Sequence, residues 1–175
     1  MGKTYNRIEG NKRKVGDIIT RSGPPALHNN YPKVEEILER NRPASCVPRG
    51  ESVNMRPDRD FKAMGIDQFD QGYVHQVEPI HPVAVRDIAW IGALQVRYPK
   101  PGLVLPEKYP DVSDDELAQR YWREQLSEKP KTEYATRSAK VLSVEDKLTR
   151  VNGPHEMEEA LKRVAANGKK IPDKR

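Results

Sequence analysis

Fifteen prolines are spread along the 175-residue chain, and no proline-free stretch is longer than 23 residues. Proline lacks an N–H donor and clashes with the preceding helical turn, so helices are confined to the stretches between prolines. Hydrophobic residues make up only 35% of the chain, whereas typical globular domains hold about 45–50% in a count that includes glycine. The sequence therefore predicts a mainly α fold, with several short helices joined by long extended proline-rich segments and little independent core.

The same pattern divides the chain into three predicted regions. Residues 1–30 read as a basic N-terminal arm, 31–130 as partner-binding helices with an extended linker, and 131–175 as short C-terminal helices with a mobile tail. The longest mostly apolar stretch, Ile80 to Val96, is interrupted by proline and two charged residues. It falls short of the roughly 20 apolar residues that a membrane-spanning helix requires.

Local signals predict where the helices lie. One helix is expected over Tyr31–Arg40, with Pro32 in its first turn, where a missing N–H costs nothing. A second is expected over Pro82–Val96, and a third begins at Ser113, which forms a capping-box pattern with Glu116. Shorter helices are predicted over three further segments: Asn11–Ile19, Ser143–Val151 and Pro154–Ala166.

The main predicted helices carry short apolar stripes, and a single narrow stripe cannot hold a helix of about ten residues together in water. We therefore expect the stripes to dock on a partner, and the stretch Arg42–Glu78 to lie as extended chain across its surface. Large aromatic side chains often dominate the affinity of such interfaces. The predicted partner-binding residues are Ile37, Leu38, Trp90, Leu94, Leu117, Tyr121 and Trp122.

The sequence shows no pattern typical of an active site, a cofactor site or a metal site. The four histidines have no cysteine or carboxylate at a familiar ligand spacing. Cys46 lies in PASCVPRG, which has neither a strand-to-helix elbow nor a helix N-terminus that would lower a thiol pKa. We therefore predict a non-enzymatic protein without cofactor or metal. A small enzyme that uses Cys46 or a histidine remains a minor alternative.

The charge of the chain indicates an anionic partner. The formal net charge is +5 and the isoelectric point is about 9.3, which suits an acidic protein surface, a nucleic acid or an anionic membrane surface. The basic run NKRK could contact phosphates, but no nucleic-acid recognition motif accompanies it, so nucleic acid is not favoured. The first 21 residues are basic with interleaved apolar residues, which fits either a mitochondrial targeting segment or a solvated basic tail; few serines and two acidic residues favour the tail.

The order of several motifs resembles the mitochondrial complex I assembly factor 4 family. Members of that family open with Met-Gly and a basic segment that leads to an isoleucine, followed by a proline and an Ala-Pro-Arg-His-like stretch. A tyrosine-proline pair and a charged helix come next. Late in the chain they carry an apolar helix, a proline, and a helix with an acidic start and a tyrosine at its end. The corresponding stretches here are NRIEGNKRKVGDII, GPPALH, YPKVEEILER, IAWIGAL, LPEKYP and SDDELAQRYW.

This resemblance implies a non-enzymatic assembly chaperone that wraps subunits of the quinone module of complex I during biogenesis. It also implies a location in the mitochondrial matrix, peripheral to the inner membrane, and a partnership with assembly factor 3. The alternative reading is a permanent structural subunit of a large particle, such as a mitochondrial ribosome, a respiratory complex or an axoneme.

Overall fold

The computed structural model of the chain describes residues 2–25, 27–58 and 72–145. These residues form three α-helices and seven β-strands. The helices are α1 (Pro32–Arg40), α2 (Ala89–Arg97) and α3 (Asp114–Trp122). The strands are β1 (Tyr5–Glu9), β2 (Ile18–Ile19), β3 (Val53–Met55), β4 (Tyr73–Pro79), β5 (Ala84–Asp87), β6 (Thr132–Thr136) and β7 (Ala139–Glu145).

Two compact units are interleaved along the chain. The helical unit combines residues 1–3, 18–55 and 78–140, and the second unit combines 4–17, 56–77 and 141–175. Each unit draws on all three of the regions predicted from the sequence, so the compact units follow other boundaries than 1–30, 31–130 and 131–175.

The helical unit is built on the mutual packing of its three helices. One face of each helix contributes apolar side chains to a common core, which also includes Ala93 and Ala118. Polar contacts fix the ends of the helices: Arg40 and Asn41, at the end of α1, both donate to Asp115 at the start of α3, at 2.9 and 2.7 Å. The three short helices therefore stabilise one another.

A three-stranded antiparallel sheet completes the helical unit, in the order β3-β6-β5. The central strand β6 pairs Ala135 with Asn54 on one side and with Ala84 on the other. At the end of β5, the fully buried Asp87 accepts hydrogen bonds from the N–H groups of Ala89, Ser127 and Lys131 at 2.9, 2.7 and 2.8 Å. This carboxylate thereby ties the start of α2 to the loop that leads into β6.

The other four strands are ordered β1-β4-β7-β2. Within the second unit, β1 pairs antiparallel with β4, from Tyr5 opposite Val77 to Glu9 opposite Tyr73. Within the helical unit, β2 pairs antiparallel with the first two residues of β7, so that Ile19 lies opposite Ala139. Both pairings join segments that are far apart in the sequence.

The predicted mainly α fold is wrong. Helix accounts for 23% and strand for 26% of the described residues, so this part of the chain is mixed α/β and mainly β. The expectation of little independent core is wrong as well, since twenty hydrophobic residues are buried. The extended segments satisfy their backbone hydrogen bonds by pairing with one another, as buried backbone requires.

The individual helices were predicted with uneven success. The prediction for Tyr31–Arg40 is confirmed as α1, with Pro32 at its first position. The helix at Ser113 is confirmed as α3, where the Ser113 hydroxyl accepts the Glu116 N–H at 3.1 Å. The predicted helix over Pro82–Val96 is β5 followed by α2.

Two further helix predictions are wrong, because strands occupy part of each segment. Asn11–Ile19 is not helical and ends in β2. Residues 143–145 of the helix predicted over Ser143–Val151 belong to β7. The rest of that segment, the prediction for Pro154–Ala166, and residues 59–71 of the predicted extended stretch lie outside the described residues.

Candidate functional site

The structure brings together all seven residues that the sequence analysis assigned to partner binding, and it places them in the core of the helical unit. Every one of these side chains is buried. The residues are Ile37 and Leu38 from α1, Trp90 and Leu94 from α2, and Leu117, Tyr121 and Trp122 from α3. The three apolar stripes therefore cover one another, and none of them is offered to a partner while the core is closed.

Both core tryptophans also satisfy their polar atoms internally. The Trp122 indole N–H donates to the Leu38 carbonyl, and the Trp90 indole N–H donates to the Gln125 carbonyl, each at 2.7 Å. A buried indole N–H normally finds such an acceptor. The two tryptophans thus lock helices to their neighbours, and a binding role must be sought on other surfaces.

A buried polar network lies at the edge of this core. Arg49 donates to both oxygens of the buried Glu35 at 3.1 Å and to the Tyr121 hydroxyl at 2.7 Å. The Tyr121 hydroxyl in turn donates to Glu133 at 2.7 Å. One guanidinium thus links α1, α3 and β6.

Burial is the largest influence on the pKa values of Glu35 and Tyr121 in this network. It raises the pKa of Glu35 above its usual value, although the facing Arg49 opposes the shift. Burial also raises the pKa of Tyr121, and the nearby Glu133 carboxylate adds to that effect. Tyr121 therefore stays a neutral donor throughout the physiological range, which suits a structural hydroxyl rather than a proton-transfer group.

The most exposed apolar part of the helical unit lies between α2 and α3. Residues 101–108, which we call the exposed segment, are all exposed. Three consecutive apolar residues stand at its centre: Leu103 is 48%, Val104 94% and Leu105 49% exposed. Pro101 and Pro106 flank them.

The exposed segment is held by a local turn at one end and by contacts to α2 and α3 at the other. On one side, Gly102 has a φ of 88° and Leu103 N–H donates to the Lys100 carbonyl at 3.1 Å, which closes a proline-glycine turn. On the other side, Arg97 binds the Tyr109 carbonyl and pairs with Asp114 at 2.9 Å. The apolar residues are therefore presented on an anchored loop.

A cavity of about 360 Å³, the Arg86 cavity, lies beside the three-stranded sheet. Arg86 of β5 lines it and is only 6% exposed. The Arg86 Nε is buried without a hydrogen-bond partner among the described residues. An unpaired buried N–H costs about 1–3 kcal/mol. The remaining lining comes from four stretches: Ser45, Cys46, Val47 and Ser52; His81, Pro82, Val83 and Ala84; Glu124; Ala135 and Arg137.

A larger hollow of about 510 Å³ lies beside α1, and its charged groups are paired internally. Glu36 pairs with Lys33 at 3.0 Å and Glu39 with Arg42 at 2.7 Å. Glu35 is held by Arg49 at 3.1 Å. Each of these three carboxylates therefore has a counter-ion, whereas Arg86 has none among the residues that the structure describes.

The residues considered for catalysis are divided between the two units. His75 is buried in the second unit, where its Nε2 accepts the Arg13 N–H at 3.0 Å and burial lowers its pKa. Cys46 and His81 both line the Arg86 cavity. Across residues 2–25, 27–58 and 72–145, no group of three or more His, Cys, Asp or Glu side chains is arranged to hold a metal ion.

Neither surface feature was predicted from the sequence. The exposure of Leu103, Val104 and Leu105 depends on which residues cover them in three dimensions. Arg86 interrupts an apolar stretch, and a charge within VAVRDIAW is itself a signal that a buried partner or ligand is needed.

Helices of the described residues are all too short or too polar to cross a lipid bilayer. In comparisons of the chain with family models, curated proteins and solved structures, no match was found.

Proposed function

We propose that the chain is a non-enzymatic protein-binding factor that acts in the assembly of a larger complex, and that its partner holds the exposed segment. The observation that carries this proposal is the exposure of Leu103, Val104 and Leu105 on a loop with fixed ends. Contiguous exposed apolar runs on soluble proteins commonly mark interaction sites. Because the loop is already anchored, binding would cost little further ordering of the chain.

The composition of the exposed segment defines the kind of partner. The run is apolar and flanked by Pro101 and Pro106, which donate no backbone hydrogen bond. Such a segment fits an apolar groove on a folded protein better than a central position in a sheet. The formal charge of +5 favours acidic residues around that groove.

In the specific form that the sequence resemblance implies, the partners are quinone-module subunits of complex I together with assembly factor 3. The protein would then act in the mitochondrial matrix, peripheral to the inner membrane, and would leave before the enzyme is complete. The alternative is a permanent structural subunit of a ribosome, a respiratory complex or an axoneme. Presence in the purified mature particle distinguishes the two.

The test is recovery of partners with the tagged 175-residue chain from mitochondrial and cytosolic extracts, identified by mass spectrometry. Val104→Asp is the test variant, and Leu126→Asp, at another exposed leucine, is the matched control. Burying a valine is worth about 1.5–3 kcal/mol, so Val104→Asp should reduce recovery of the quinone-module subunits by about tenfold or more. Leu126→Asp should leave their recovery unchanged.

The proteins recovered with each variant distinguish the assembly factor from the permanent subunit. Recovery of quinone-module subunits without finished complex I, lost only in Val104→Asp, supports the assembly role. Equal recovery with both variants refutes docking through the exposed segment. Stoichiometric recovery of a complete ribosome, respiratory complex or filament supports the permanent subunit instead.

A further inference from the structure

We propose that the Arg86 cavity binds a small organic molecule that carries one anionic group, a carboxylate or a phosphate. This site is separate from the exposed segment and does not depend on the proposed assembly role. The cavity lies wholly within the helical unit, between residues 45–52, β5 with the residues before it, Glu124 and the end of β6.

The first argument is the state of the Arg86 guanidinium. Arg86 forms no ion pair among the residues that the structure describes, and its buried Nε has no acceptor there. Arginine stays charged at any physiological pH. Buried charges in proteins are normally paired or hydrogen-bonded, because removal from water is costly. A missing counter-ion at such a site indicates an anionic ligand.

The second argument is how the guanidinium is held. Its Cζ lies 5.0 Å from the ring centroid of Trp122 and 5.7 Å from that of Tyr121. These contacts attract the cation and fix its position, but they use the ring faces and accept none of its N–H donors. Arg86 is thus held at the cavity with no ion pair among the described residues, which leaves its charge available to a carboxylate or a phosphate.

The charge around the cavity favours one negative group. Arg86 and Arg137 contribute two positive charges to the lining, and Glu124 contributes one negative charge. The Glu124 carboxylate is engaged by the Val85 N–H at 2.6 Å. Arg137 is half exposed and pairs with Glu51 at 3.6 Å, a surface contact that can exchange for a ligand.

The size of the cavity indicates an organic ligand rather than a bare ion. Its volume of about 360 Å³ falls within the range of about 300–1,000 Å³ that is typical of small-molecule sites. Pro82, Val83 and Ala135 provide apolar surface for the remainder of the molecule, while Ser52 and His81 add polar groups. The site therefore suits a molecule with one anionic end and a compact, partly apolar body.

The probes for the test are benzoate and phenyl phosphate, titrated into the 175-residue chain. Binding is followed by calorimetry and by tryptophan fluorescence, since Trp122 lies against Arg86. Arg86→Met removes the charge at similar volume, and Arg86→Lys keeps the charge without the fork. Arg120→Met is the matched control, because Arg120 also lies over a tryptophan, Trp90, at 5.1 Å but does not line the cavity.

We expect saturable 1:1 binding of at least one probe. Arg86→Met should abolish it, Arg86→Lys should weaken it about tenfold, and Arg120→Met should leave it unchanged. The ratio of the two affinities tells whether the site prefers a carboxylate or a phosphate. Saturable binding that persists in Arg86→Met, or no saturable binding of either probe to the unmodified chain, overturns the proposal.

A second variant keeps the test decisive if Arg86→Met does not fold. Arg137→Ala changes a half-exposed side chain at the same cavity and should weaken the probe several-fold. Unchanged affinity in both Arg137→Ala and Arg86→Lys would contradict the proposed site. Recovery of protein partners should be the same in Arg137→Ala as in the unmodified chain, so this result is independent of the assembly role.

Discussion

Replacing Asp87 with alanine would remove the acceptor of three backbone N–H groups at once. Its carboxylate accepts from Ala89 and Lys131 with one oxygen and from Ser127 with the other, at 2.7–2.9 Å. The residue is fully buried. The N–H groups in α2 and in the loop before β6 would lose their acceptor together.

The expected cost follows from these three contacts. A hydrogen bond to a charged group contributes about 1.5–3 kcal/mol to stability. Simple addition would overestimate the sum, because part of the 126–131 loop is exposed and its N–H groups can turn toward water. We expect Asp87→Ala to lower the free energy of unfolding by about 3–5 kcal/mol, a large share of the 5–15 kcal/mol that is typical of a folded protein.

Urea unfolding, followed by tryptophan fluorescence, measures this loss. Asp111→Ala is the control, because this aspartate is exposed and has no ion pair or side-chain hydrogen bond among the described residues; it should stay within about 0.5 kcal/mol of the unmodified chain. If Asp87→Ala lowers the free energy of unfolding by less than about 1 kcal/mol, the view that this carboxylate organises the loop is wrong.

The pH dependence provides an independent check. Burial alone would raise the pKa of Asp87, but the hydrogen bonds from Ser127, Lys131 and Ala89 outweigh it and hold the pKa below its usual value. The stabilisation is therefore complete above the unfolded-state pKa of about 3.9 and is lost as the pH falls through the lower folded-state pKa. The stability gap between the unmodified chain and Asp87→Asn should shrink below about pH 4. A gap that stays constant down to pH 2 would contradict this linkage.

Two core changes test the packing of the helical unit. Arg49→Met leaves Glu35 and Glu133 without their shared cation and should cost about 3–5 kcal/mol in urea unfolding; adding Glu35→Gln should recover part of that loss, and strict additivity would argue against a coupled network. Trp122→Ala removes a buried ring and its bond to the Leu38 carbonyl, and should cost about 3–5 kcal/mol. If Trp122→Ala stays stably folded but no longer binds the partner, Trp122 contacts the partner directly and the core assignment is wrong.

The helices with local start signals could be predicted from the sequence. Pro32 at the first position of α1 and Ser113 at the cap of α3 act through neighbouring residues, so a short window of sequence contains the whole signal. The strands lacked such signals because their partners are remote: Tyr5 lies opposite Val77, and Ile19 lies opposite Ala139. A two-residue strand such as β2 has no readable periodicity of its own.

The same limit applies to the seven apolar side chains predicted to bind a partner. Taken alone, each helix carries a stripe that is too small to hold it together in water. Three such stripes, brought together from α1, α2 and α3, are enough to form a core. Arg86 could be recognised as unpaired only in three dimensions, because ion pairing depends on residues remote in the sequence.

The pairing of β2 with β7 has a consequence for synthesis on the ribosome. Ile19 pairs with Ala139, a residue that is synthesised about 120 positions later. At a translation rate of about 5–20 residues per second, β2 is therefore without its partner strand for roughly 6–24 s. The isoleucines of β2 stay unpaired during that interval. A nascent chain of this kind exposes them to other unfinished chains, and its yield in the cell should depend on translation speed and on chaperones that occupy the ribosome exit.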